Sequence, residues 1–491
     1  MKIMQIACAF ALGACVAMTA AAQQGGRAGA PDLAHLSQQQ IAATELPSAL
    51  YRLSAMYEKA GDLQRLAWTL ERLSQLQPNV GQVRLALART YGLQGEKSKA
   101  YDTLLAMQKQ GYGYDLADDP DFAKVADTKV WDYILEGLEV NMKPFGEGQV
   151  AFTLPGGDHL FDALAFDPAR KQLLAGSVRD GTIQLVGKDG KLAPFIRPDA
   201  ENGLWSVYAL AVDPAEDALY VASNASVYFK GFDKQDFGKA GVFRFKLSSG
   251  KFVGKYLLEP TGQPRTLSSL AVGKGRVFAA DGIENVIYRL DGGSLKPMVR
   301  NAHLTSVRGM TLSGDGKILY FADYSMGVLG VDLAAGKGFD LQYDPAKLVL
   351  GGIDGLYWYD GTLVAIQNGM SPERVMRISL SADGRRVTKA MPLDVARPEF
   401  ELPTYGAIDG NRLYFIANSQ RNEYGTYGTP KDGAKLEPVK IFRSDLRFAW
   451  DEKGIEMSPV AAPQRKPASG SRPGSGQFSN VQGAAQSAKE D

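Results

Sequence analysis

Six short segments of this chain begin alike: "FDALAFDP" (161–168), "VYALAVDP" (207–214), "LSSLAVGK" (267–274), "VRGMTLSG" (307–314), "IDGLYWYD" (353–360) and "TYGAIDGN" (404–411). A turn follows each, and then a second apolar run: "QLLAGS", "ALYVAS", "RVFAAD", "ILYFAD", "LVAIQN" and "LYFIAN". Position three of the heads is always small, holding Ala163, Ala209, Ser269, Gly309, Gly355 and Gly406. A small residue at a fixed place in each strand is what close approach of several backbones demands. The second head residues are spaced by 46, 60, 40, 46 and 51, room for four short strands per unit. These features predict an all-β propeller of six blades over 143–454. "GQVAFTLP" (148–155) is expected to pair into the last blade, so that the ring closes without a free sheet edge.

In such a ring the starts of the inner strands and the ends of the second strands open on one face. The second head residues, Asp162, Tyr208, Ser268, Arg308, Asp354 and Tyr405, then surround the axis. The second-strand ends, Ser177, Ser223, Asp281, Asp323, Gln367 and Asn418, are expected on the same face. Four aspartates against one arginine give a formal local charge of −3 (1 − 4). Such a mouth suits a hard cation on oxygen ligands, with Asp162, Asp354, Asp323 and Asp281 as the metal candidates. It equally suits a polar ligand whose carboxylate or carbonyl meets Arg308, with Tyr208, Ser268, Tyr405, Gln367 and Asn418 beside it. The plainer alternative has Arg308 neutralised by Asp162 or Asp354 across a water-filled channel.

Of three histidines, His35 precedes the repeats, whereas His159 and His303 fall in loops entering blades one and four, a few residues before Asp162 and Arg308. They are the candidate proton-transfer groups, with Arg308 as the catalytic partner that would hold a substrate. A surface role for both is the alternative. The sequence contains no phosphate-binding loop, cysteine-based zinc motif or Gly-x-Ser-x-Gly turn.

Ahead of the β region the period is helical. Tyr57 recurs as Tyr91 and Gly61 as Gly95, both 34 residues apart (91 − 57 and 95 − 61). That period, with Pro78, Ala88 and Ala100, resembles the tetratricopeptide repeat and predicts a short α-helical repeat domain over 45–142. Trp131, Ile134 and Leu138 are expected as the capping face of a degenerate third pair. The repeats would offer a groove to a protein partner or serve as a helical prop.

The opening "MKIMQIACAFALGACVAMTAAAQQ" reads as a secretory signal peptide cleaved after Ala22, which implies a periplasmic or secreted protein. Alternatives are a lipoprotein anchored through Cys15 and a transmembrane anchor; the first reading leaves no membrane span in the mature chain. Both cysteines, Cys8 and Cys15, lie in this leader, so the mature chain would hold no disulfide. Residues 23–44 read as a flexible linker and 455–491 as a disordered Pro-, Ser- and Gly-rich tail. Lys plus Arg number 55 against 54 Asp plus Glu, which gives no electrostatic case for nucleic acid.

"AFDP", "SGDGKILYFAD" and "IDGLYWYDGTLVA" within 155–445 resemble the gluconolactonase/regucalcin-like superfamily of six-bladed propellers. The resemblance implies an axial divalent metal, often calcium, held by a Glu, an Asn and an Asp. By position these places are Asp162, Arg308 and Asp354 in this sequence. Arginine carries only donors and cannot ligate a cation, so a metal here would need Asp323 or Asp281. Two functions are therefore expected in competition. One is an exported envelope protein whose mouth binds a small ligand or partner, with the helical repeats as a second surface. The other is a divalent-metal-dependent hydrolase of lactones or small esters.

Overall fold

The computed structural model describes residues 32–157, 159–449 and 454–457. Residues 1–31, with Cys8, Cys15 and the stretch read as a signal peptide, and the residues beyond 457 lie outside them. The chain divides into two units, Met1–Met142 and Lys143–Asp491. No helix among the described residues is long and apolar enough to cross a membrane.

The first unit is helical: α1 (Gln38–Ala42), α2 (Pro47–Ala60), α3 (Leu63–Leu76), α4 (Gly81–Gln94), α5 (Lys97–Lys109) and α6 (Lys129–Asn141). Gly61 and Gly95 end α2 and α4 at φ of 70° and 77°, a left-handed cap that glycine adopts without a Cβ penalty. Asp62 then starts α3 by accepting from the Arg65 amide at 3.0 Å. α4 begins 34 residues after α2 and α5 34 after α3 (81 − 47 and 97 − 63), so the repeat is present, although its likeness to tetratricopeptides is loose. The third pair differs from expectation. A single 3-10 turn, Pro120–Phe122, stands in for its first helix, and only α6 forms, burying Trp131, Ile134 and Leu138.

Residues 32–44 are not the flexible linker their composition suggested. Ser37 and Gln40 make a reciprocal capping box that starts α1, and Ile41 is fully buried. The Tyr57 hydroxyl donates to the Leu33 carbonyl at 2.8 Å, and Arg65 and Arg72 donate to the carbonyls of Leu36 and Thr44, both at 2.9 Å. Two buried apolar anchors, Leu36 and Ile41, and these long-range bonds outweigh the ordering entropy of a glutamine-rich stretch.

The second unit is a propeller of six sheets. It opens with β1 (Gln149–Leu154). Blade one is β2 (Phe161–Asp167), β3 (Gln172–Ser177), β4 (Ile183–Val186) and β5 (Leu192–Ile196). Blade two is β6 (Ser206–Asp213), β7 (Ala218–Asn224), β8 (Ala240–Lys246) and β9 (Phe252–Leu257). Blade three is β10 (Leu267–Gly273), β11 (Arg276–Asp281), β12 (Val286–Asp291) and β13 (Ser294–Arg300). Blade four is β14 (Val307–Leu312), β15 (Ile318–Asp323), β16 (Gly327–Asp332) and β17 (Lys337–Asp340). Blade five is β18 (Ile353–Tyr359), β19 (Thr362–Gln367), β20 (Arg374–Leu380) and β21 (Val387–Val395). Blade six is β22 (Gly406–Asp409), β23 (Arg412–Ile416) and β24 (Val439–Asp445), completed by β1, which pairs antiparallel with β24. First and last strands thus share a sheet, and the ring closes as expected. Residues 455–456, read as the start of the tail, instead form β25 (Ile455–Glu456) on the outer edge of blade five.

Each blade packs its apolar face on the next. Leu174, Ile183, Val207 and Phe243 fill the seam between blades one and two, and Leu164, Ala175, Ile416 and Ile441 fill the closing seam. Toward the axis the small position does what its size suggested. A Cβ on Gly309 would lie 2.4 Å from the Leu356 amide nitrogen of the neighbouring inner strand, too close for any side chain.

Candidate functional site

In five blades the pairing of inner and second strands slips at the start of the inner strand. The breaks fall between Phe161 and Ala163, Val207 and Ala209, Leu267 and Ser269, Val307 and Met310, and Ile353 and Gly355. The residues left without a ladder partner include Asp162, Tyr208, Ser268, Arg308 and Asp354. A β-bulge re-aims the extra residue's side chain, so a repeated bulge turns one chain position into a ring. In blade six Tyr405 immediately precedes β22.

Ionic contacts join this ring. Asp162, 1% exposed, is gripped through both oxygens by the Nη2 of Arg421, the Oδ1 contact being 2.5 Å. Across the ring, Arg308 Nε lies 3.8 Å from Asp354 Oδ1 and donates to the Ser306 hydroxyl at 2.9 Å. Its guanidinium sits 5.8 Å from the Tyr324 ring centre. Asp354 Oδ2 accepts from Asn368 Nδ2 at 3.1 Å, and Asn368 Oδ1 accepts from the Tyr324 hydroxyl at 2.9 Å. The Tyr208 hydroxyl meets that of Ser226 at 2.8 Å, and Ser268 donates to the Val307 carbonyl at 3.3 Å.

Burial pushes the Asp162 carboxyl up, and the charge of Arg421 opposes it. For Arg421 burial disfavours the charge, but Asp162 and then Asp354 outweigh it and hold the guanidinium above its ordinary value. Burial lifts the Tyr208 phenol to about 12. The Tyr405 phenol is pushed up by burial and then by Asp354, with Arg308, Asp162 and Arg421 also acting on it. Its hydroxyl is buried and has no hydrogen-bond partner among the described residues. A group of two guanidiniums and two carboxylates thus surrounds an unpaired hydroxyl, and its formal charge is 0 (2 − 2) rather than −3.

The difference has two causes. Arg421 was missed by sequence reading: it stands on a 3-10 turn, Gln420–Glu423, inside the polar segment 417–438 that joins β23 to β24. The segment's only signal is length, which it shares with 225–239 of blade two; the corresponding turn of blade three spans 282–285. It reaches over blades one and two: Arg179 Nε donates to the Gly428 carbonyl at 2.8 Å, the Tyr427 amide to the Val227 carbonyl at 2.6 Å, and the Tyr424 hydroxyl to the His159 carbonyl at 3.3 Å.

The second-strand ends are the other cause, because their side chains are buried and tie down loops. Asp281 accepts from the amides of Thr266, Ile283 and Glu284, and Asp323 from those of Thr305, Ser306, Ser325 and Met326. Gln367 bonds the carbonyls of Val349 and Gly351 and accepts from Arg374, while Asn418 bonds Pro438 and Lys440. Buried loop amides need acceptors, and these strand-end side chains supply them. Ser177 and Ser223 likewise accept from the Asp180 and Trp205 amides.

The histidines stand apart from the axial group. His159 Nδ1 pairs with Asp180 at 2.9 Å, and its ring lies 5.0 Å from that of Phe161. Hydrogen bonding to His159 helps bring the Asp180 carboxyl down to about 2 against the effect of its own burial. His303 is exposed, its amide capped by Asn301, and no hydrogen bond or ion pair joins its side chain to the ring among the described residues.

The residues present do not fit a divalent cation. Both oxygens of Asp162 serve Arg421, a guanidinium stands beside Asp354, and the described residues include no group of three His, Cys, Asp or Glu placed to hold a metal.

No family model matches the sequence, and no curated protein is significantly similar to it. Among solved structures the chain is similar to a putative oxidoreductase (glucose dehydrogenase) from Thermus thermophilus, at 16% identity and TM-score 0.41 over 61% of this chain and all of that one. It is similar to virginiamycin B lyase from Staphylococcus aureus at 14% identity and TM-score 0.39, over 56% and 82% of the two chains. It is also similar to a gluconolactonase from Xanthomonas campestris at 14% identity and TM-score 0.37, over 60% and 88%. These are likenesses of fold alone. The class the structure defines is a six-bladed β-propeller preceded by a helical unit.

Proposed function

We propose that this protein binds a small polar ligand at the propeller mouth, taking the ligand's carboxylate on Arg308. The supporting observation is the state of that guanidinium. Its Nε is used, but Nη1 and Nη2 donate no hydrogen bond among the described residues, though the side chain is only 25% exposed. A half-buried fork of donors matches a carboxylate, which accepts two parallel bonds, better than any neutral group. The unpaired Tyr405 hydroxyl beside it supplies a further contact. The leader read at 1–22 supports binding in the envelope or outside the cell, with the helical unit as a separate surface for a partner. The metal-dependent hydrolase reading finds no support in a donor set that carries its own cations.

Titration calorimetry of small carboxylates, neutral sugars and calcium against wild type and Arg308→Ala tests this. Carboxylate binding that is lost in the variant is expected. Binding of sugars or calcium alone, or carboxylate binding that survives in Arg308→Ala, refutes it.

A further inference from the structure

We infer that the ligand is a zwitterion of the α-amino acid type, its ammonium on Asp354 and its carboxylate on Arg308; this rests on the binding reading above. Asp354 is 4% exposed, and its two oxygens are used unequally. Oδ2 accepts from Asn368, which also donates to the Pro403 carbonyl at 2.9 Å and so fixes the carboxylate in place. Oδ1 accepts no hydrogen bond among the described residues: its nearest cation, Arg308 Nε, is 3.8 Å away and points its hydrogen at Ser306. An acceptor with spare capacity thus lies beside a donor fork with spare capacity, and a ligand that carries a cation and an anion close together can use both.

Charge selects among the ligands that could use both groups. The ring is formally neutral, with Asp162 and Arg421 already paired. A simple carboxylate would leave one net negative charge in a largely buried site, and a simple amine one positive charge, each unfavourable there. A zwitterion adds none. The Tyr405 hydroxyl, buried and without a partner among the described residues, can donate to the ligand carboxylate and so satisfy itself.

The test titrates the twenty free amino acids into the whole protein by calorimetry. The tightest binder is then compared with its α-hydroxy acid, its deaminated acid and its α-amide. Replacing the ammonium or amidating the carboxylate is expected to weaken binding at least about tenfold, the loss of one charge-assisted contact. Asp354→Asn is expected to erase the preference for the amino acid over its α-hydroxy acid. If the deaminated acid binds as tightly as the amino acid, the zwitterion inference fails while the Arg308 reading stands. If no compound bearing a carboxylate binds, both fail. The analogue series uses wild-type protein, so it decides the matter even if Asp354→Asn does not fold.

Discussion

The Asp162–Arg421 pair predicts an unequal response to removal of its two partners. Asp162 is 1% exposed and Arg421 27%. Arg421→Met strands a buried carboxylate, whereas Asp162→Asn strands a cation that retains water and still faces Asp354. Breaking a buried pair costs about 3–5 kcal/mol. The stranded carboxyl can always escape by protonation, so its penalty cannot exceed the cost of that step. From the ordinary value of 3.8, this ceiling is about 4 kcal/mol at pH 7 and about 1.6 kcal/mol at pH 5, at 1.36 kcal/mol per unit. Arg308, also on the ring, softens the penalty, so Arg421→Met is expected to cost about 2–4 kcal/mol at pH 7. Asp162→Asn should cost about 1–2 kcal/mol, the loss of charge-assisted bonds to a partly solvated group.

The sign follows from proton uptake. With its folded pKa raised above the unfolded value, the variant's native state binds more protons, so its stability is lost as pH rises and regained as pH falls. Urea unfolding of the propeller transition at pH 5 and pH 7 reads this out. A defect in Arg421→Met that is the same at both pH values, or a larger cost for Asp162→Asn at pH 7, would refute the reasoning.

Glu373, half-buried and accepting from the Leu402 amide at 2.9 Å, has its carboxyl pushed up by burial to about 7 from 4.5. Its contribution is therefore present below about pH 4.5 and lost as pH rises through 7, a span of at most about 3 kcal/mol. Glu373→Gln should flatten that slope in urea titrations between pH 5 and pH 8 and stabilise the protein at pH 8. Gly309→Ala, which forces a Cβ against the next inner strand, is expected to cost about 1–3 kcal/mol or to prevent folding. Gly254→Ala on β9, where a Cβ meets nothing within 4 Å, should change stability by less than about 0.5 kcal/mol; equal melting shifts for the two would deny the close approach at the axis. Removing residues through 157 deletes β1 and bares the edge of β24, so size-exclusion chromatography should show self-association; a monomer of unchanged stability would count against closure by that strand.

How much of the site was legible depended on whether a position repeats. Asp162, Tyr208, Arg308, Asp354 and Tyr405 were found because six heads could be laid over one another, and the bulge that turns them inward recurs with the heads. Asp281 and Asp323 also repeat, but polarity at a strand end has two uses, and sequence does not separate a ligand-facing carboxylate from one that caps buried amides. Residues 32–44 read as linker because their anchors, the Tyr57 hydroxyl and the Arg65 and Arg72 guanidiniums, lie 24 to 29 positions further along the chain.

The sequence by itself determined the blade count, the small residues at the axis, the strand that closes the ring and the position from which the axial side chains arise. Each is a local pattern repeated at intervals, and repetition survives in one dimension. Only the tertiary structure decided the charge of the mouth. Arg421 meets Asp162 from 259 residues away, through an irregular segment outside the repeated strands. A neutral ring and an acidic one differ by where that single guanidinium lands, and chain order carries no record of it.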